Sequence, residues 1–382
     1  METSLNILSM NCWGLRVLSA RRRERLTGIA KELKAYDVTA LQEVWSKEDY
    51  EMMKEITGDL LPYSHMFYSS VIGSGLCVFS RYQIVCSCFH QFVASGGVFD
   101  LFTGELFAGK GVGMCRLKIS DDCYVSVYNI HTNPDFRESQ LFECMQFVHH
   151  TRGNDLVVLC GDLNTWPNQP ALKLLTTCME LQDPFYHEDC SYTSCPACED
   201  SYTCNRIDNM YKSRGSMPER IDYVMYSDLK SNWVFAKRKF NITMEGLIPG
   251  KTFNYSDHVG VNVLLGVQHR EEVATTTEIQ FNSENKQAVF REVRSLLAER
   301  TSTLKQLYFS HSRLIYSWIF LLLLMVIVSI AITYYLVSFV LQAVLFSFLW
   351  LVIGRNVIGS LVALGQLSGQ QNVLSDLHYY MT

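Results

Sequence analysis

From Leu314 to Gly354 the chain carries no Asp, Glu, Lys or Arg, and the run SWIFLLLLMVIVSIAITYYLVSFVLQAVLFSFLWLVIG is dominated by Leu, Ile, Val and Phe. About 40 helical residues would extend about 60 Å, twice the roughly 30 Å of a bilayer's hydrocarbon core, so one helix cannot use the whole run. Two spans are the economical reading, near residues 315–334 and 337–353, joined by a tight turn around Tyr334–Ser338. Tyr316, Trp318, Tyr334, Tyr335 and Trp350 are candidates for interfacial belts. The rival reading is a buried hairpin in a large soluble core, where so long a charge-free stretch is rare. Arg313 and Arg355 flank the hairpin, with Arg300 and Lys305 nearby, and would share one side of the membrane, as the positive-inside bias asks of a cytoplasmic face.

The opening METSLNILSMNCWGL has neither a charged leader nor an apolar stretch of secretory type, so the large N-terminal part is expected to stay in the cytosol. Cysteine usage agrees: the 13 Cys are odd in number, and Cys77, Cys86, Cys88, Cys115 and Cys160 fall in apparent strands, which reads as reduced thiols. With 48% hydrophobic and 19% charged residues the chain is neither disordered nor a small disulfide-stapled fold.

Ahead of the hairpin, short β-branched runs bounded by turn residues recur: LNILSMN, VTALQEV, HMFYSSV, GLCVFS, GVGMCRLKI, YVSVYNI, DLVVLCG, IDYVMYS, NWVFAKRKF and VGVNVLLGV. Helical patterns interrupt them in RRRERLTGIAKELKA, SQLFECMQFVHHT and QPALKLLTTC. Many strands with irregularly spaced helices predict an α/β sandwich of two packed mixed or antiparallel sheets with helices outside. The expected organisation is a catalytic domain at 1–268, a linker and amphipathic juxtamembrane helix at 269–312, two spans within 313–356, and a cytosolic tail at 357–382.

Polar residues collect where strand patterns begin or end, the place where active sites form in layered α/β proteins. Asn11 follows LNILSM, Glu43 ends DVTALQE, His131 ends VSVYNIH, Asp162 and Asn164 end LVVLCGDLN, Asp222 opens DYVMY, and Asp257 and His258 precede VGVNVLLGV. Singly, each has a structural explanation: an Asx-turn, a strand-end cap or a satisfied histidine. Together, a carboxylate set and two imidazoles supply what a hard-metal phosphoester hydrolase requires, oxygen ligands for Mg²⁺ and a base near neutral pKa.

The segments NCWGL, LQEVW, SGLCVFSRYQI, NIHT, GDLNTWP, RIDYVMY and SDHVGV resemble, in order and spacing, the endonuclease/exonuclease/phosphatase superfamily with its deoxyribonuclease I-like four-layer fold. Within it the chain is similar to the neutral sphingomyelinases, specifically the small kind with two C-terminal transmembrane helices. The resemblance implies a Mg²⁺-dependent phospholipase C that cleaves sphingomyelin into ceramide and phosphocholine. It implies Glu43 as metal ligand with Asn11 adjacent and Asp257 a further acid by the metal, and His258 as general base oriented by Asp222. Asp162 and Asn164 would position the attacking water and the phosphoryl oxygens, and His131 the phosphate and leaving-group side. Glu105 and Lys110, five residues apart in VFDLFTGELFAGKGVG, match an acid–lysine pair near the substrate, with Glu105 where Asp is usual. Thr203 and Asn209 fall where relatives place a polar strand-edge pair near the phosphate.

Fold alone does not select a substrate, because the superfamily also hosts nucleases and inositol-phosphate phosphatases. A net charge of −5 without a basic stripe argues against a nucleic-acid partner. The one cluster, Arg21-Arg22-Arg23-Glu24-Arg25, reads as a solvated helix face or as a dock for anionic lipid activators. The hairpin favours lipid: membrane sphingomyelin and other choline phospholipids. Lysophosphatidylcholine and lyso-platelet-activating factor share the headgroup and stand as alternative substrates, and an inactive membrane scaffold is the alternative outside enzymology. Cys190, Cys195, Cys198 and Cys204 read either as a zinc site or as free thiols. The ER or Golgi, the plasma membrane and the nuclear envelope all accept such an anchor.

Overall fold

The computed structural model describes residues 3–16, 18–94, 108–167, 169–185, 201–271, 279–332 and 339–381. Among the described residues eleven strands build two sheets: β1 (Thr3–Asn11), β2 (Val38–Gln42), β3 (Tyr63–Met66), β4 (Cys77–Ser80), β5 (Gln83–Gln91), β6 (Gly111–Lys118), β7 (Tyr124–His131), β8 (Leu156–Asp162), β9 (Asp222–Ser227), β10 (Trp233–Thr243) and β11 (Gly260–His269). The first sheet runs β10-β11-β1-β2-β4-β3 and the second β5-β6-β7-β8-β9. Both are mixed, since β1 pairs with β2 and β7 with β8 in parallel while the other neighbours are antiparallel.

Alternation along the strands sets the layers. Leu5 and Ile7 of β1, Val38 and Ala40 of β2, Val125 and Val127 of β7, and Leu156, Val158 and Cys160 of β8 fill one core between the sheets. The opposite faces of β1 and β2, with Leu8, Met10 and Leu41, pack against α1 (Arg22–Glu32) and α2 (Lys47–Thr57) through Leu26, Ile29, Tyr50 and Met53. On the second sheet α3 (Arg137–Thr151) buries Leu141, Met145 and Val148, followed by the short α4 (Pro170–Lys173). Four layers result, as the sequence predicts.

α2 was absent from the expected set, and β5 entered it only through Cys86 and Cys88, without a strand run of its own. β5 is an edge strand, half-exposed on both faces, so QIVCSCFHQ lacks the apolar alternation that marks a half-buried strand. α2 is announced only by its cap: the Ser46 side chain accepts from the Asp49 N–H, with Glu48 and Asp49 in the first turn. Cys77, Cys115 and Cys160 are buried free thiols as expected, whereas Cys86 is exposed on β5.

A second compact unit holds α5 (Glu284–Ile332) from Arg294 onward and α6 (Phe339–Met381) as far as His378. Both helices are long and apolar enough to cross a membrane. They extend beyond the expected spans: α5 continues unbroken from the juxtamembrane segment, and the residues expected as a tail are helical in α6. The turn placed at Tyr334–Ser338 lies outside the described residues, as do Glu105, Cys190, Cys195 and Cys198.

Candidate active site

The alternation that builds the inter-sheet core also aims the polar residues. Two-residue steps beyond Leu5 and Ile7 lead to Ser9 and Asn11, beyond Val38 and Ala40 to Gln42, beyond Val125 and Val127 to Asn129 and His131, and beyond Cys160 to Asp162. On β9 the series Tyr226, Val224 leads back to Asp222. One end of the sandwich interior therefore changes from apolar to polar. The first polar layer joins the sheets: Gln42 Nε2 donates to Asn129 Oδ1 at 2.7 Å and to Ser9 Oγ at 3.3 Å, and Asn129 Nδ2 donates to the carbonyls of Leu41 (2.9 Å) and Cys77 (3.0 Å).

The next layer gathers the candidate catalytic residues. Asn11 Nδ2 donates to Glu43 Oε1 at 3.1 Å and to Asp162 Oδ2 at 3.0 Å, linking a carboxylate of each sheet. Asn11 Oδ1 accepts the Trp13 N–H, so Asn11 stands here as a bridge between carboxylates. Glu43 has φ 59°, a left-handed conformation that costs a non-glycine residue on the order of 1–3 kcal/mol. Gly14 is required beside it, because a Cβ there would lie 2.1 Å from the Glu43 carbonyl oxygen. Asp162 Oδ1 accepts the Asn164 N–H at 3.0 Å, and Asn164 Nδ2 donates to the Thr132 carbonyl at 2.9 Å. His131 Nε2 lies 3.6 Å from Asp162 Oδ2.

His258 Nδ1 is 2.8 Å from Asp222 Oδ2, and its Nε2 is 4.0 Å from Asp162 Oδ2. With Nδ1–H donating to the carboxylate, Nε2 is the basic nitrogen, aimed toward the cluster. Thr203 braces this pair: its Oγ1 accepts the N–H groups of Ile221 and Asp222, and its carbonyl accepts the Val259 N–H. The Cys204 backbone bridges to His258, and burial holds the Cys204 thiol's pKa up.

Electrostatics separate the roles. Burial is the largest influence on His258 and opposes its charging, but the facing Asp222 carboxylate and the adjacent Cys204 together outweigh it and raise the histidine well above its usual range. Burial, aided by the charges of Lys110 and His258, drives His131 well below, so it is neutral. Asp162 is raised by burial and by Asp222, and Glu43 by burial and by Asp257.

Of the sequence-predicted residues, Asn11, Glu43, His131, Asp162, Asn164, Asp222 and His258 converge. Asp257 lies close enough for its charge to act on Glu43. Buried Lys110 donates to the Thr132 carbonyl at 3.3 Å, beside His131. Asn209 is placed otherwise: Nδ2 donates to the Ser256 carbonyl and Oδ1 accepts the Tyr211 N–H, so its amide holds the loop carrying His258. The arginine cluster is not one solvated face. Arg22 pairs with Asp49, and Arg25 is fully buried, donating to the carbonyls of Cys12, Trp13, Ala20 and Tyr255 and stacking on Trp13 and Tyr211. Its location at the helical spacing of Leu26 and Ile29 was the available signal.

The donor set fits a hard divalent cation. Burial and the neighbouring Asp257 charge raise the cost of ionising Glu43 at an oxygen-rich end of the site, an arrangement such an ion offsets. Asp162, Asp222 and His258 each offer an atom within 4.8 Å of the others, but Nδ1 of the histidine is committed to Asp222, which suits proton handling. Among the described residues, Asp222 Oδ1 and His131 Nδ1 have no hydrogen-bond partner.

The model of the Endonuclease/Exonuclease/phosphatase family matches residues 8–258. The chain is 34% identical to the putative neutral sphingomyelinase of Drosophila melanogaster over 72% of its own length and 64% of that protein's, so it spans just under two thirds of that relative. It is 31% identical to human sphingomyelin phosphodiesterase 2, over 69% of this chain and 65% of that one. In fold it is similar to a crystal structure of a Staphylococcus aureus beta toxin mutant with bound magnesium ions, at TM-score 0.51 and 18% identity, over 68% of this chain and 99% of that one. With two mixed sheets between helices and its polar strand ends gathered at one end, the chain belongs to the endonuclease/exonuclease/phosphatase family.

Proposed function

We propose that the chain is a membrane-anchored, Mg²⁺-dependent sphingomyelin phosphodiesterase of phospholipase C type, releasing ceramide and phosphocholine. The observation that carries this reading is the convergence of the Asp222–His258 pair, the Asn11-bridged carboxylates Glu43 and Asp162, and neutral His131 in one buried cluster. Relatives named as sphingomyelinases and two helices apolar enough to span a bilayer support the lipid substrate. Glu43 and Asp257 would hold the cation, with Asn11 fixing Glu43. Bound there, Mg²⁺ supplies Lewis-acid stabilisation of the phosphoryl charge.

The chain's own groups do the rest. His258 Nε2 takes a proton from a water in line with the P–O bond to the lipid, and Asp222 stabilises the imidazolium that forms. Asn164 and Asp162 orient that water and the phosphoryl oxygens. His131, being neutral, donates a hydrogen bond to the phosphate without adding charge. The water oxygen becomes part of phosphocholine, and the departing ceramide alkoxide takes up a proton.

We place the catalytic domain at residues 1–268 and the spans within 313–356, with both ends in the cytosol; Arg313 and Arg355 at the hairpin's flanks support that side. The deciding experiment presents reconstituted protein with sphingomyelin, lysophosphatidylcholine, lyso-platelet-activating factor and a phosphoinositide, with and without EDTA. Phosphocholine from sphingomyelin, lost in EDTA, is expected. Preference for a lyso-lipid, or release of inorganic phosphate, overturns the substrate assignment.

A further inference from the structure

Three loops open at the strand ends that carry the catalytic cluster. The β3–β4 loop does so because Met66 pairs with Cys77, which pairs with Leu41 beside Glu43. The loop after β8 follows Asp162, and the loop of residues 201–221 before β9 leads into Asp222. All three show large apolar side chains to solvent: Tyr68 and Val71, then Trp166, then Ile207 (82% exposed), Met210 (57%) and Met217 (76%). Single exposed apolar residues are ordinary, but such a set around one active-site mouth is not.

The loop before β9 is also held in place. Thr203 and Cys204 bond to the Glu219 carbonyl, Asn209 is tied to Ser256, and Trp166 Nε1 donates to Glu219 Oε1 at 3.1 Å, joining two of the loops. Its apolar tips are therefore presented from a fixed base. Lys212 and Arg214 lie between them in sequence, and neither forms an ion pair among the described residues. Apolar side chains interleaved with cations are the composition of a surface that lies in a membrane interface.

We propose that this rim docks on the lipid bilayer, Ile207, Met210 and Met217 entering the boundary between headgroups and acyl chains while Lys212 and Arg214 meet anionic headgroups. The occupant follows from the chain itself, whose two apolar helices bring a bilayer to the same molecule. The proposal rests on the lipid-substrate reading and deepens it: the anchor keeps the domain near the membrane, and the rim turns the catalytic mouth to it.

The test uses the full chain in vesicles of phosphatidylcholine, sphingomyelin and phosphatidylserine. The triple variant Ile207→Ser, Met210→Ser, Met217→Ser is expected to lose about tenfold or more on vesicle sphingomyelin, because withholding even one such side chain from an apolar phase corresponds to roughly a tenfold change. On a monomeric short-chain sphingomyelin it should stay within about twofold of wild type. Equal losses on both substrates, or on neither, overturn the proposal. A measurement independent of turnover places Trp by Ile207→Trp or Met217→Trp in vesicles of brominated lipid. Quenching beyond that of the wild type is expected, and its absence overturns docking even in an active enzyme. Quenching without hydrolysis of any choline lipid would sink the substrate assignment and leave the docking standing. An unchanged vesicle rate with loss of an oligomer in detergent would assign the surface to a second copy of the chain instead.

Discussion

His258 Nδ1 sits 2.8 Å from Asp222 Oδ2 at a site where both side chains are shut away from solvent. A charge pair so buried keeps the imidazolium stable, and its strength sets the pH at which His258, as the proposed base, is free to act. The Asp222 carboxylate raises His258, so turnover increases as pH rises through the histidine's folded-state value. Asp222→Asn removes that support and lets burial dominate, which lowers the histidine's pKa. The acidic limb of the rate profile is therefore expected to move to lower pH, with turnover reduced. His258→Ala should cost about 10²–10⁴-fold, the usual worth of a general base. A pH–rate profile of Asp222→Asn superimposable on the wild type would refute the assignment.

Asn11 bonds Glu43 and Asp162 together, which makes it the outer partner of the proposed metal ligand. Asn11→Ala should raise the Mg²⁺ concentration for half-maximal activity by roughly 10–100-fold, as loss of such partners generally does. Metal titration at saturating lipid reads this directly. A lowered melting temperature with unchanged Mg²⁺ dependence would leave Asn11 a structural bridge alone.

Much of the site is legible along the chain because a strand's period of two is rigid. Once Val125 and Val127 face the core, His131 must lie on the same side, and the same holds for Cys160 and Asp162. The failures have physical causes too. β5 is an edge with no buried face to impose a pattern, α2 is signalled by the Ser46 cap and its acidic first turn, and Arg25 looks solvent-bound because its four carbonyl acceptors come from backbone that no side-chain pattern reveals. Asn209, matched by position to a substrate-facing residue, is consumed by its loop because Ser256 and Tyr211 offer its amide complementary groups at once.

Beneath the catalytic layer, Gln42 and Asn129 tie the two sheets together. Gln42→Leu leaves Asn129 Oδ1 buried without its donor, and an unmet buried polar group costs about 1–3 kcal/mol. The apparent melting temperature should fall by several degrees. Asn129→Leu should cost at least as much, since the Leu41 and Cys77 carbonyls lose their donor. The double variant is expected to cost less than the sum, because the second change removes the group that the first leaves unpaired. Strict additivity in thermal unfolding would show that the two residues act separately.

Protease protection checks the hairpin. In sealed vesicles of defined orientation, tags at the N-terminus and at the C-terminus should be digested or protected together, because two spans would return the chain to its starting side. Opposite behaviour of the two tags would require an odd number of crossings.

Arg25 tests whether a residue remote from the substrate sets the geometry of the base. Its guanidinium donates to the carbonyls of Cys12 at 2.9 Å and Tyr255 at 3.0 Å, thereby joining the chain that follows Asn11 to the chain that precedes Asp257 and His258. Ser256 Oγ repeats the link by donating to the Asn11 carbonyl at 2.8 Å. A lysine in this place keeps the charge but cannot reproduce the planar fork or the stacking on Trp13, so Arg25→Lys leaves carbonyls unmet and should lower stability by about 1–3 kcal/mol. Because the loosened joint lies between the proposed metal ligands and the proposed base, kcat should fall while KM for lipid changes little. Compensation by extra Mg²⁺ would place the damage at Glu43, whereas a loss that Mg²⁺ does not restore places it at His258. Unchanged kcat in a destabilised Arg25→Lys protein would confine Arg25 to the fold.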